Sequence, residues 1–318
     1  MRENILTVTG LQAGYGGKPM IDDVTFSLGR GEIFCIVGES GCGKSTLLKA
    51  LLGTTPGLRI TSGSIRLEDT ELTQLPDAER RELCTEKMGM VFQNPGSSFN
   101  PIRSYKKQFI ETLKSHGRYD KDAFPQQVEE AFGKLGLNDV KRIINSCPYE
   151  MSGGMNQRIA MAIMLILGQD ILLADEPTSA LDATIQKQMA EELRHLRDVS
   201  GISMIIVTHN LALAEYLGDR IAVIYSGHIA ELGDASEVLS RPVHPYTKSL
   251  IEAIPTLDGR MPTGLPGSPP MTGPEEKGCE FCPRCPVACG GCSELEYSLR
   301  DIGDGHFVSC PYAKGGIR

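Results

Sequence analysis

Residues 38–46 read Gly38-Glu39-Ser40-Gly41-Cys42-Gly43-Lys44-Ser45-Thr46, directly after the apolar run Ile33-Phe34-Cys35-Ile36-Val37. Leu47-Leu48-Lys49-Ala50-Leu51-Leu52 follows, so a strand, a glycine turn and a helix succeed one another. In that order the stretch reads as a phosphate cradle. Its glycines let backbone N–H groups face an anion, Lys44 is placed to reach β and γ oxygens, and the Ser45 hydroxyl can hold Mg²⁺. The helix beginning near Lys44 turns its positive end toward the same anion. The bland alternative is a plain glycine turn, but accidental matches seldom fall between a strand and a helix. A bound nucleoside triphosphate is therefore expected.

Outward from the loop, short apolar strands are expected at Ile5–Val8, Val24–Leu28, Gly63–Leu67 and Met88–Phe92, with a turn over Ala13–Gly17. From Asn94 to about Gln169 the spacing becomes helical, near Tyr105–Leu113, Phe124–Leu135 and Met155–Leu167. Strand and helix then alternate through Ile171–Ala174, Ile185–Arg197, Ser203–Val207, Leu211–Leu217 and Ile221–Tyr225, and a strand at His228–Leu232 and a helix at Tyr246–Ile254 close the domain. This predicts an α/β parallel-sheet nucleotide fold with a helical insertion. The expected division is a nucleotide-binding domain over 1–254 with a helical subdomain at about 94–170. A Pro/Gly-rich linker over 255–278 and a cysteine-rich extension over 279–318 follow. That extension is too short for its own apolar core and should need a metal or a partner surface.

Bulk properties set the limits. A formal net charge of −8 disfavours wrapping nucleic acid, and none is expected as partner. No apolar run approaches membrane-helix length, and Met1-Arg2-Glu3-Asn4 leads into a strand rather than a signal peptide. A cytoplasmic location is expected, with the membrane touched only through partners.

Ile171-Leu172-Leu173-Ala174-Asp175-Glu176 is an apolar strand ending in two carboxylates. Asp175 can reach Mg²⁺ through its water shell, and Glu176, pointing elsewhere, can polarise an attacking water. Two acids opening a loop is the plainer reading. His209 follows the next strand, where it would sit beside a γ-phosphate. Ser152-Gly153-Gly154 opens the long apolar helix as an N-cap with exposed N–H groups, a second anion site or simple capping.

Together these features resemble the ATP-binding cassette (ABC) ATPases over roughly Ile5 to Ile254. Tyr15 matches the adenine-stacking aromatic, Gly38–Thr46 the Walker A loop and Gln93 the Q-loop, which the resemblance makes a catalytic and Mg²⁺ residue. Ser152-Gly153-Gly154 matches the signature, Asp175 and Glu176 the Walker B pair, Ser179-Ala180-Leu181-Asp182 the D-loop and His209 the switch. Met151 and Met155 depart from the usual Leu and Gln, though Met155 is similar to what peptide-importer ATPases carry. The resemblance implies two cassettes sandwiching ATP head to tail, each nucleotide held by one Walker A and the other subunit's Ser-Gly-Gly, with Glu176 as general base.

Three further stretches resemble the ATPases of dipeptide, oligopeptide and nickel importers: Asn94–Pro101 after the Q-loop, His244-Pro245-Tyr246-Thr247, and the cysteine tail. Such importers imply two membrane permeases, an extracytoplasmic binding protein and a second ATPase, a paralogue more often than a copy. The expected location is then peripheral, on the cytoplasmic face. A soluble ABC ATPase attached to ribosomes, repair or a phosphonate-degrading lyase is the alternative.

The tail spacing Cys279-x₂-Cys282-x₂-Cys285-x₃-Cys289 matches a bacterial ferredoxin run, except that Gly290 stands where that run has Pro. The subfamily resemblance instead selects Cys279, Cys285, Cys292 and Cys310, with Cys282 and Cys289 as extras. A [4Fe–4S] cluster is the leading expectation, a Cys₄ Zn²⁺ site its competitor, and disulfides the plain reading that cytosolic residence opposes. The metal is expected to lie away from the phosphates.

Overall fold

In the computed structural model, which describes residues 2–91, 99–178, 183–254, 265–268, 278–294 and 298–312, the chain opens with two antiparallel strands. These are β1 (Asn4–Tyr15) and β2 (Lys18–Gly29), joined at Gly16 and Gly17, whose φ values of 58° and 78° favour glycine. β1 runs well past the expected Val8 because Leu11 and Ala13 both bury completely. β3 (Ile33–Val37) is buried at every residue and passes through the glycine loop into α1 (Lys44–Leu52). β4 (Leu58–Leu67) and the short β5 (Thr70–Glu71) complete a four-stranded sheet in the order β2-β1-β4-β5. α2 (Asp77–Lys87) was not anticipated: mostly charged, with Cys84 its buried residue, it lacks the apolar stripe that announces a helix.

β6 (Met88–Val91) begins the larger sheet, and the helical insertion follows as α3 (Tyr105–Ser115), α4 (Phe124–Lys134), α5 (Val140–Asn145) and α6 (Gly153–Leu167). Its helices pack through aromatic side chains: Phe109 and Phe132 meet edge to face with centroids 6.2 Å apart. The chain then returns to β7 (Ile171–Asp175), α7 (Ala183–Ser200), β8 (Ser203–Thr208), α8 (Leu211–Leu217), β9 (Arg220–Tyr225) and β10 (His228–Asp234). α9 (Ala235–Ser240) and α10 (Pro245–Glu252) complete the body, and two short strands come from the tail, β11 (Arg300–Asp301) and β12 (Phe307–Val308).

The larger sheet has the order β11-β12-β10-β9-β3-β8-β7-β6. Strands β9, β3, β8, β7 and β6 run parallel, while β10 and β12 are antiparallel to their neighbours. Parallel direction gathers the carboxyl ends of β3, β7 and β8 along one rim, where α/β sheets place their ligands. The phosphate loop, the Asp175–Glu176 pair and His209 leave from those three ends.

The tail is held by the body of its own chain. β12 pairs with β10 at Glu231↔Val308 and Leu232↔Phe307. Phe281, 1% exposed, packs against the rings of Tyr225 and Tyr246 at 5.2 and 5.3 Å. The surface that a coreless segment requires is thus supplied internally, and no metal is needed to explain how these residues dock. Fully buried Glu231 ties three pieces together: it accepts the N–H groups of Val243 (2.8 Å) and His244 (2.9 Å) and pairs with His306 Nε2 at 2.7 Å.

His244 Nδ1 accepts the Tyr246 N–H at 3.0 Å and so caps α10. Burial lowers its pKa from 6.5 to about 4, against the attraction of Glu231 and together with repulsion from Lys248. Because the folded pKa is depressed, the stability is present above pH 6.5 and is lost as pH falls toward 4, roughly 3 kcal/mol at about 1.4 kcal/mol per tenfold change in proton concentration. Burial lowers His228 as well, with the same sign. Urea midpoints should therefore drop between pH 7 and pH 5, and drop less in His244→Gln; equal midpoints for the native chain would contradict this.

Candidate active site

Residues 38–43 wrap one end of a cleft of about 150 Å³ lined by Met20, Ser40, Gly41, Gly43, Lys44, Ser45, Thr46 and Glu176. Gly43, at φ 101°, caps α1 and aims the helix start into this space. Lys44 is only 5% exposed, and its ammonium donates to the carbonyls of Gly38 and Glu39, both at 2.8 Å. A phosphate entering the cleft would compete with those two oxygens for the same cation. The Ser45 hydroxyl donates to Asp175 Oδ1 at 2.9 Å, placing two hard oxygen donors side by side. That donor set fits Mg²⁺, which prefers carboxylate, hydroxyl and phosphate oxygens.

Glu176 has φ 47°, in the left-handed region, and its N–H donates to the Val207 carbonyl at 2.9 Å. This non-glycine strain is stored beside the cleft, which Glu176 itself lines. Its Oε2 lies 3.2 Å from His209 Nδ1, and the imidazole is more than half exposed. Lys44, Ser45, Asp175, Glu176 and His209 are thereby brought to one place.

Other expected residues stand elsewhere. Tyr15, 36% exposed, ends β1 and does not line the cleft among the described residues. Ser152 caps α6, accepting the Met155 N–H at 3.3 Å, and both Ser152 and Gly153 face solvent. Gln157 Nε2 donates to the Pro177 carbonyl at 3.0 Å, and Arg158 and Glu192 join α6 to α7 by a two-pronged ion pair, so the signature helix is fastened to the segment after Glu176. Gln93 and Asp182, with the rest of the Q-loop and D-loop, lie outside the described residues.

In the tail, burial pushes the Cys279 thiol up to about 11 and raises Cys285 too; the nearby charges of Cys310 and Cys292 add to both. Cys289 Sγ lies 3.5 Å from Cys292 Sγ. Among the described residues, no three Cys, His, Asp or Glu side chains converge on a single-ion position. The cysteine segment nonetheless touches the phosphate loop: Arg284, between Cys282 and Cys285, reaches Glu39. Sequence reasoning missed Arg284 and Glu39 because nothing local marks a pairing between distant segments. It marked Tyr246 as part of a run of interest without placing it; the structure has its hydroxyl accepting the Glu39 N–H at 3.0 Å.

A family model described as ABC transporter matches residues 21–179, and one described as Oligopeptide/dipeptide transporter, C-terminal region, matches residues 230–292. The dipeptide transport ATP-binding protein DppD of Bacillus subtilis is 36% identical over 316 residues, 97% of this chain and 94% of the relative. The oligopeptide transport ATP-binding protein OppD of Haemophilus influenzae is 36% identical, covering 91% of this chain and 90% of the relative. Among solved structures, cbiO1 of Clostridium perfringens shares the fold with a TM-score of 0.67 at 24% identity, over 76% of this chain and 92% of that one. A dimeric ATP-binding cassette in a post-hydrolysis state with ADP and Pi gives 0.62 at 25% identity, over 72% and 98%. Fold and site together define an ATP-hydrolysing cassette. The chain belongs to the ABC transporter family, alongside the dipeptide and oligopeptide transport ATP-binding proteins.

Proposed function

We propose that this chain is the ATPase subunit of a peptide importer, bound peripherally to two permeases at the cytoplasmic face and working with a second, paralogous ATPase. Full-length similarity to dipeptide and oligopeptide transport proteins, on a chain whose Walker A lysine, Ser45–Asp175 pair and Glu176–His209 pair share one rim, carries this reading. The same names favour peptide cargo, delivered by an extracytoplasmic binding protein, over nickel chelates. No helix among the described residues is long and apolar enough to cross a membrane, consistent with a role that depends on permease partners.

In this mechanism Tyr15 stacks on adenine, the loop N–H groups and Lys44 hold the β and γ phosphates, and Ser45, Asp175 and Gln93 hold Mg²⁺. Bound Mg²⁺ supplies charge neutralisation on the phosphate oxygens. Glu176 takes the proton of a water whose oxygen bonds the γ-phosphorus as the β–γ bridge breaks, releasing ADP and phosphate. His209 holds Glu176 and the γ-phosphate in register. Ser152 and Gly153, exposed at the start of α6, and the half-buried Gly154 meet the γ-phosphate of the partner cassette, and Asp182 acts in the same nucleotide site. The triphosphate then bridges two helix N-termini, and its cleavage removes the bridge. Vesicles carrying both permeases and both ATPases should take up dipeptide only with ATP; uptake unchanged when this chain is left out would refute the proposal.

We also propose that Cys279, Cys285, Cys292 and Cys310 hold a [4Fe–4S] cluster. Four soft thiols within one short segment suit it, and the Cys279 N–H donating to the Cys292 carbonyl at 2.7 Å ties two of them together. Protein prepared without oxygen should be brown and carry about four iron atoms per chain. Colourless, iron-free protein would remove the cluster, and stoichiometric zinc would replace it.

A further inference from the structure

One side chain of the cysteine segment enters the nucleotide loop. Arg284 is 7% exposed and grips Glu39 with both prongs, Nη1 to Oε2 at 2.6 Å and Nη2 to Oε1 at 3.0 Å. It also donates from Nη1 to the Tyr225 hydroxyl at 3.3 Å and from Nε to the Pro266 carbonyl at 2.8 Å. Its fork is therefore fixed in orientation as well as in charge.

Glu39 is the second residue of the loop and is held at three points. Arg284 takes its carboxylate, the Tyr246 hydroxyl receives its N–H, and its carbonyl accepts from Lys44. A carboxylate at this position would oppose an incoming polyphosphate unless neutralised. A buried ion pair adds little net stability over an apolar substitute, but it fixes position well.

We propose that Arg284 is a positioning residue for ATP hydrolysis: by neutralising and anchoring Glu39 it holds the phosphate loop, and through the Glu39 carbonyl Lys44, in the ATP-receiving arrangement. The cysteine segment is then a strap across the nucleotide site. This inference rests on the ATPase reading, and a native chain that fails to bind MgATP would count against that reading rather than this one.

The test is MgATP affinity of the full chain by equilibrium binding, with kcat and KM in the assembled complex. Arg284→Ala should weaken ATP binding and raise KM by about tenfold to a hundredfold, with a smaller change in kcat. Arg284→Lys, which keeps the charge but loses the fork, should fall between. Glu39→Gln combined with Arg284→Ala should bind ATP more tightly than Arg284→Ala alone, because the unpaired carboxylate is gone. A purely structural strap predicts no such rescue. Should Arg284→Ala fail to fold, Arg284→Lys carries the test: native affinity in that variant, or no gain from adding Glu39→Gln to a folded Arg284→Ala, overturns the proposal.

Discussion

Glu176→Gln should bind MgATP nearly as well as the native chain and lose its turnover by about two to four orders of magnitude. Glutamine fills the same volume and can still meet His209 Nδ1, 3.2 Å from Oε2 in the native chain, yet it cannot accept the proton of the attacking water. The backbone should tolerate the change, since the Glu176 N–H that donates to the Val207 carbonyl at 2.9 Å is untouched by it. Affinity rests on Lys44 and the loop, which the substitution leaves alone. The measurement is single-turnover hydrolysis beside equilibrium binding, both on the assembled complex. Hydrolysis near the native rate would remove Glu176 from its role; lost binding would mean that it supports the loop instead.

Gly43→Ala should damage both stability and nucleotide binding. At φ 101° an alanine is strained wherever it is placed, and here its Cβ would stand 2.7 Å from the Met20 carbonyl oxygen and 2.8 Å from Ile21 Cγ2. One contact is backbone of β2 and cannot rotate away. Strain and overpacking together should cost about 3 kcal/mol or more, and relief by shifting the turn would misaim α1 and Lys44. Thermal melting should show the loss and ATP titration its consequence. A variant with native melting and native affinity would show that the turn is softer than its geometry implies. Gly41, at φ 84° but with open space where a Cβ would go, offers the internal comparison: alanine there meets strain without collision.

What could be read from residues alone follows from how local the cause is. The phosphate loop was legible because anion binding demands glycine, lysine and hydroxyl within nine positions, and Asp175–Glu176 because a buried strand rarely ends in two acids by accident. Three helices of the insertion, α3, α4 and α6, carried an apolar stripe and were found to within a few residues, whereas the six-residue α5 was too short to show one. α2 carries none, since its surface is charged and Cys84 alone is buried. β11 and β12 are two residues each, too short to show a period, and exist because β10 has an edge to pair with. The bond between Arg284 and Glu39 joins residues 245 positions apart and leaves no trace in either neighbourhood. A run of cysteines drew the reading toward metal chemistry, whereas the arginine set among them makes the contact with the nucleotide loop.

The pairing of β12 on β10 also covers one edge of the larger sheet. Without residues 307 and 308, β10 would present unpaired N–H and C=O groups along a row that includes Glu231 and Leu232, a template onto which a strand of any neighbour can add. Two residues are enough to blunt that edge, and β11 beyond them is too short to recruit another strand in turn. The β12 segment thus covers an edge of the larger sheet onto which a second copy could otherwise add a strand.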